Sequence, residues 1–207
     1  MRELLCSFGL SALFAVAPAP APTQIQPQSN SAAQSPASGV ASTSGVRDEI
    51  LTELKYEEDR FVRLAQAIPA EKYTWRPADG VRSVSEVFMH VAAANYNIPR
   101  LLGTPPPTDF KVQGFDKSTT EKAKVIDTLR DSFSHADQAV ADVADADLEK
   151  QLDWINGKKN TERGVMIFLV RHAAEHLGQL IAYARENGIA PPWTEEQQKK
   201  AQEKPKQ

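Results

Sequence analysis

Cysteine is almost missing from this chain: Cys6 is the single one, and it sits at the start of an N-terminal apolar run. If that run is removed as an export signal, the remaining protein has no thiol. Disulfides, cysteine-ligated zinc and a cysteine nucleophile are then excluded together. Strand patterning is also missing, since no stretch of convincing length alternates polar and apolar residues. The apolar run from Leu4 to Ala17 is too short to span a bilayer. With a net charge of -3 and no clustering of basic residues with aromatics, nothing fits a nucleic-acid backbone. A second absence follows in the chain: from Pro18 to Gly45 there is no charged residue, and Ala, Pro, Ser and Gln dominate. Such a composition cannot bury a core.

These absences divide the 207 residues. Residues 1–17 read as a signal peptide, with Arg2 beside the amino terminus ahead of the apolar run, and with a cleavage point that extends to about residue 25. Residues 18–45 read as a disordered Pro/Ala/Ser/Gln linker, residues 46–193 as one folded unit, and residues 194–207 as a charged tail. An exported, periplasmic or secreted protein is expected, with no transmembrane segment once mature.

Within the folded unit four helices are expected. The first, from about Val46 to Ala67, carries Ile50, Leu54, Phe61 and Leu64 near a 3.6 period and ends before Pro69. Ser83 and Glu86 form an S-x-x-E capping box for the second, which Pro99 must kink or end. A third helix, carrying Ile126, Leu129, Phe133 and Val140, would be capped by Ser118 and Glu121. The fourth starts near Thr161 and stops at Asn187-Gly188. Gly178 inside it is expected at a close helix contact. Four amphipathic helices without intervening strands point to an all-α four-helix bundle.

Three of the four histidines stand where such a bundle buries apolar side chains. His172 and His176 lie four apart in GVMIFLVRHAAEHLGQLIAYAR, on one helix face; His90 ends SVSEVFMH on another helix. One reading is a His₃ site whose fourth position is left to water. The other is three core histidines satisfied by hydrogen bonds, and spacing alone weighs the two equally. His135 falls off its helix stripe, is expected in solvent, and is set aside. Glu175 completes an H-x-x-E-H pattern known from inverted zinc peptidases. With residues 177–207 alone following His176, there is no room for that enzyme's distant third ligand. Glu175 is expected to pair with a surface arginine or to hydrogen-bond a ligand, and Gln179 to line the pocket or pack in the bundle.

The stretches TWRPADGVRSVSEVFMHVAAANY and RHAAEHLGQLIAYARENGIAPPW, in that order, resemble the two signatures of the DinB/YfiT-like family of metal-dependent enzymes. The resemblance spans about residues 46–193. It implies a four-helix bundle holding a divalent metal, often zinc or nickel, on three histidines, which map to His90, His172 and His176. It also implies thiol-dependent transferases, isomerases of the maleylpyruvate type, or hydrolases.

Because low-molecular-weight thiols are chiefly cytosolic, the export signal favours a metal-dependent hydrolase with an activated water and an unknown small-molecule substrate. A thiol-dependent transferase or isomerase, or a non-catalytic metal-binding stress module, is the alternative. No general base is evident, and a homodimer is left open.

Overall fold

The capping box read at Ser83 forms: its hydroxyl accepts from the Glu86 amide at 3.3 Å while the Glu86 carboxylate accepts from the Ser83 amide at 2.8 Å. The computed structural model describes residues 44–203, and the expected signal peptide and most of the linker lie outside them. Helix α1 spans Ser44–Ala67, α2 Val84–Asn97, α3 Lys122–Ala141, α4 Glu162–Glu186 and α5 Pro192–Glu203. The first helix takes in Ser44 and Gly45, two residues that sequence composition assigns to the linker. Its apolar face, Ile50, Leu54, Phe61 and Leu64, is buried as the period requires. Lys122 then closes its far end by donating to the carbonyls of Gln66 and Ile68 at 2.7 and 2.8 Å, where the helix dipole favours a cation.

Several expectations are corrected. Ser118 does not cap α3: its hydroxyl donates to the Phe115 carbonyl at 2.8 Å in a 3₁₀ turn, Phe115–Lys117, and the N-cap is Glu121. The S-x-x-E spacing is met there without the helical pitch that makes it a box. Two short strands, β1 (Gln151–Asp153) and β2 (Lys159–Thr161), pair antiparallel with Gln151 opposite Thr161. Three residues are too few for a period of two to register in the sequence. Much of the expected charged tail is α5, held to α1 by the Arg63–Glu196 ion pair and by Trp193 against the Arg60 guanidinium at 4.6 Å. Gly178 makes no close contact, since a Cβ there would meet nothing within 4 Å.

Two apolar clusters fill the bundle. One gathers Phe61, Phe88, Phe133, Leu129, Leu177 and Leu180; the other gathers Ile50, Leu54, Val140, Met166 and Leu169. Phe61 ties the first together at 5.5 Å from Phe133 and 6.2 Å from Phe88. Packed on α3 and α4 alike, α2 places His90 against the middle of α4, which is the arrangement the site requires. No described helix is long and apolar enough to cross a membrane.

Candidate metal centre

The α4 N-cap, Thr161, accepts from the Gly164 amide at 3.0 Å and starts a regular helix, so His172 and His176 stand one turn apart on one face. Their ring centroids are 4.6 Å apart. His90 faces them from α2, with centroids 5.2 Å from His172 and 4.7 Å from His176. One nitrogen of each ring lies within 4.8 Å of the other two, so the triad could hold a metal ion. All three are half-buried rather than enclosed.

The tightest pair is informative. His90 Nε2 and His172 Nε2 are 3.3 Å apart. A tetrahedral cation bonded to imidazole nitrogens at about 2.0–2.1 Å sets two of those nitrogens about 3.3–3.4 Å apart. The fit is therefore good along this edge. Burial depresses the His172 pKa to about 3, with the neighbouring His176 and His90 charges adding to the effect. For His90 burial again comes first, followed by the Arg82 guanidinium and His176, and the value falls to about 4, against a small opposing pull from Asp116. Both rings are neutral at physiological pH and offer lone pairs without competition from protons.

His176 is oriented by a relay on its own helix. Its Nδ1 donates to Gln179 Oε1 at 2.9 Å, and the Gln179 amide donates onward to the Tyr183 hydroxyl at 2.9 Å. With Nδ1 carrying the proton, Nε2 is the free lone pair. Tyr183 is itself buried and meets Trp75 edge-on at 5.3 Å, which ties the loop before α2 to the site. Glu175 is elsewhere: it lies on the exposed side of α4, 3.6 Å from Arg171, and is outside the triad. His135 is also outside it. Contrary to expectation that ring is only partly exposed: it packs on Tyr96 at 5.5 Å, and its Nε2 is buried without a partner among the described residues.

One side of the triad opens on a cleft of about 460 Å³, lined by His90, His172, Phe168, Ile155, Arg82 and Asp116 among others. Phe168 stacks on His172 at 5.8 Å, and Trp154 of the hairpin packs edge-on against Phe168 at 5.0 Å. Sequence reading missed Arg82, Asp116 and Ile155. They come from loops and a hairpin whose positions no periodicity marks.

A family model described as the DinB superfamily matches residues 53–180, which include every histidine of the triad. The chain belongs to the DinB superfamily. This DinB-superfamily chain is 22% identical over 128 residues to the uncharacterized protein YjoA of Bacillus subtilis strain 168, covering 60% of the present chain and 80% of that protein. Its fold is that of a DinB-like protein from Bacillus cereus ATCC 10987, with a TM-score of 0.61 and 20% identity over 70% of this chain and 95% of that one. A mycothiol-dependent maleylpyruvate isomerase shares the fold at a TM-score of 0.54 and 12% identity, over 65% of this chain and 60% of the isomerase.

Proposed function

We propose that this DinB-superfamily protein is a metal-dependent hydrolase acting on a small molecule, with zinc or nickel held by His90, His172 and His176. The observation that supports it most is the 3.3 Å approach of two neutral ring nitrogens, His90 Nε2 and His172 Nε2, at the edge of an open cleft. Two lone pairs at that distance repel unless a proton or a cation lies between them. Three imidazoles suit borderline cations such as zinc and nickel. When bound, such an ion supplies Lewis acidity and a water acidified toward neutral pH. The protein does the rest: Gln179 holds His176 in the ligating tautomer, Phe168 stacks on His172 as part of the cleft wall with Trp154 packed against it, and the cleft leaves His90 and His172 open to substrate. The donor group holds three histidines and no carboxylate among the described residues, which suits a catalytic site more than a closed structural one.

The second reading, thiol-dependent transfer, draws on the shared fold with an enzyme named for its mycothiol dependence. Hydrolysis is preferred because the N-terminal run from Leu4 to Ala17 fits an export signal, and export takes a protein away from the cytosolic thiol pool. N-terminal sequencing of protein from the periplasm or medium checks this premise: a start within about residues 18–26 is expected, whereas an intact Met1 on cytosolic protein would remove the preference.

The activity test compares zinc-loaded with chelator-stripped protein on ester and amide substrates, with and without a low-molecular-weight thiol. Thiol-independent hydrolysis that disappears on stripping and returns with zinc is the expected result. Turnover only with thiol would establish the second reading, and a fully loaded protein inactive on both panels would leave a metal-binding module.

A further inference from the structure

Arg82 and Asp116 are 34 positions apart in sequence and form the common wall of two neighbouring clefts. Arg82 directly precedes the N-cap of α2, and its Nε donates to Asp116 Oδ2 at 3.2 Å. This contact uses one edge of the guanidinium. Among the described residues neither Nη group of Arg82 enters a hydrogen bond or an ion pair, whereas Arg76 nearby is committed to the Val81 carbonyl and to Glu86. A planar guanidinium fixed at Nε, with both Nη groups to spare, is set up for a bidentate grip on a carboxylate.

Beyond Arg82, Asp116, Asn97 and the two triad rings His90 and His172, the first cleft is apolar. Ala93, Ala94, Ile98 and Phe168 line it, and Val112 and Ile155 stand at it with 56% and 54% of their surface exposed. They belong to separate loops, on opposite sides of α3 in sequence, and both reach the same cleft. Large exposed apolar side chains gathered about a concave site mark a place where an apolar ligand is covered. The second cleft is polar: Arg76, Arg82 and Lys117 face Glu86 and Asp116 there, leaving a surplus of one positive charge. The apolar part of the trough beside the triad thus ends at the Arg82–Asp116 pair, and the surplus positive charge lies in the second cleft behind that wall.

We propose that the cleft takes an amphipathic carboxylate, an acyl or aryl acid whose charged end is held by Arg82 and whose apolar body lies along Phe168, Ile155 and Val112. Asp116 is the positioning residue, fixing the guanidinium through Nε. This deepens the metal-centre reading and rests on it for what happens at the triad, but binding of the acid requires no metal.

Calorimetric titration of the protein with 4-phenylbutyrate, 4-phenylbutanol, 4-phenylbutylamine and inorganic phosphate tests it, with metal stripped and with zinc added. The acid is expected to bind about tenfold or more tighter than the alcohol, as for a charge-assisted hydrogen-bonded pair, with the amine and phosphate weaker still. Arg82→Gln should bring the acid down to the level of the alcohol and leave the alcohol unchanged, and Arg82→Lys should recover part of the loss. Val112→Ser should weaken acid and alcohol alike. Equal affinity for acid and alcohol in the unsubstituted protein overturns the proposal, even if Arg82→Gln fails to fold. So does phosphate binding as tightly as the acid, or an Arg82→Gln protein with undiminished acid affinity. If Arg82-dependent preference for the acid persists in a protein that takes up no zinc, the metal reading fails and this proposal stands. Stoichiometric zinc uptake without any preference for the acid overturns this proposal and leaves the metal reading intact.

Discussion

Gln179 decides which nitrogen of His176 faces the triad. Its carbonyl oxygen takes the Nδ1 proton, and its own amide is pinned by the Tyr183 hydroxyl. Replacing Gln179 by Leu keeps the bulk and removes the acceptor, so metal affinity is expected to fall about 10–100-fold, the usual cost of losing a partner that orients a ligand. Competition with a chromophoric chelator measures this, with circular dichroism reporting an unchanged helix content. An affinity equal to that of the parent would show that the tautomer is set by something else. The positions of His172, His176 and Gln179 on one side of α4 were legible because helical spacing fixes them. Glu175, rotated about 100° from His176, turns outward to Arg171 for the same reason. Arg82 and Asp116 were not legible: a contact across 34 residues depends on how the loops fold back, and no local pattern encodes that.

Among the helices, the two glycines of α4 show where local sequence rules hold and where they fail. Gly178, expected at a tight crossing, faces open space, whereas a Cβ on Gly164 would lie 2.0 Å from Asn160 Oδ1. Gly178→Ala is therefore expected to raise stability by about 1 kcal/mol through helix propensity alone. Gly164→Ala forces the Asn160 side chain away and breaks its 2.9 Å bond to the Thr161 amide, so its denaturation midpoint should fall. Urea unfolding of the two variants should shift in opposite directions, and a shared sign would contradict this packing of α4. Helix existence and the Ser83 cap were readable from local chemistry. The three-residue strands were not, and neither was the failed box at Ser118, because each depends on the conformation of the surrounding loop.

At the scale of the whole molecule, the fold keeps some charges at a cost. Burial and the neighbouring Glu58 raise the Asp137 pKa to about 6, and its Oδ1 is buried without a partner. The folded state thus holds a proton that the unfolded chain, with an ordinary carboxylate, has already released. Ionised Asp137 lowers stability above pH 6, and this penalty fades as pH falls toward 4. Asp137→Asn should consequently stabilise the protein at pH 8 and have no such effect at pH 4 in urea unfolding. A gain equal at both pH values would show that charge is not the cause. The bundle itself followed from four amphipathic segments, and with it the meeting of α2 and α4 that joins His90 to His172 and His176.

The most direct test of that meeting is the metal content of purified, dialysed protein at neutral pH, measured by elemental analysis on the parent chain and on four variants. About one divalent ion per chain is expected for the parent and for His135→Ala, with most of it lost in His90→Ala, His172→Ala and His176→Ala alike. A parent protein without stoichiometric metal, or any one of the three triad variants that retains it at the parent level, would contradict a shared three-histidine centre.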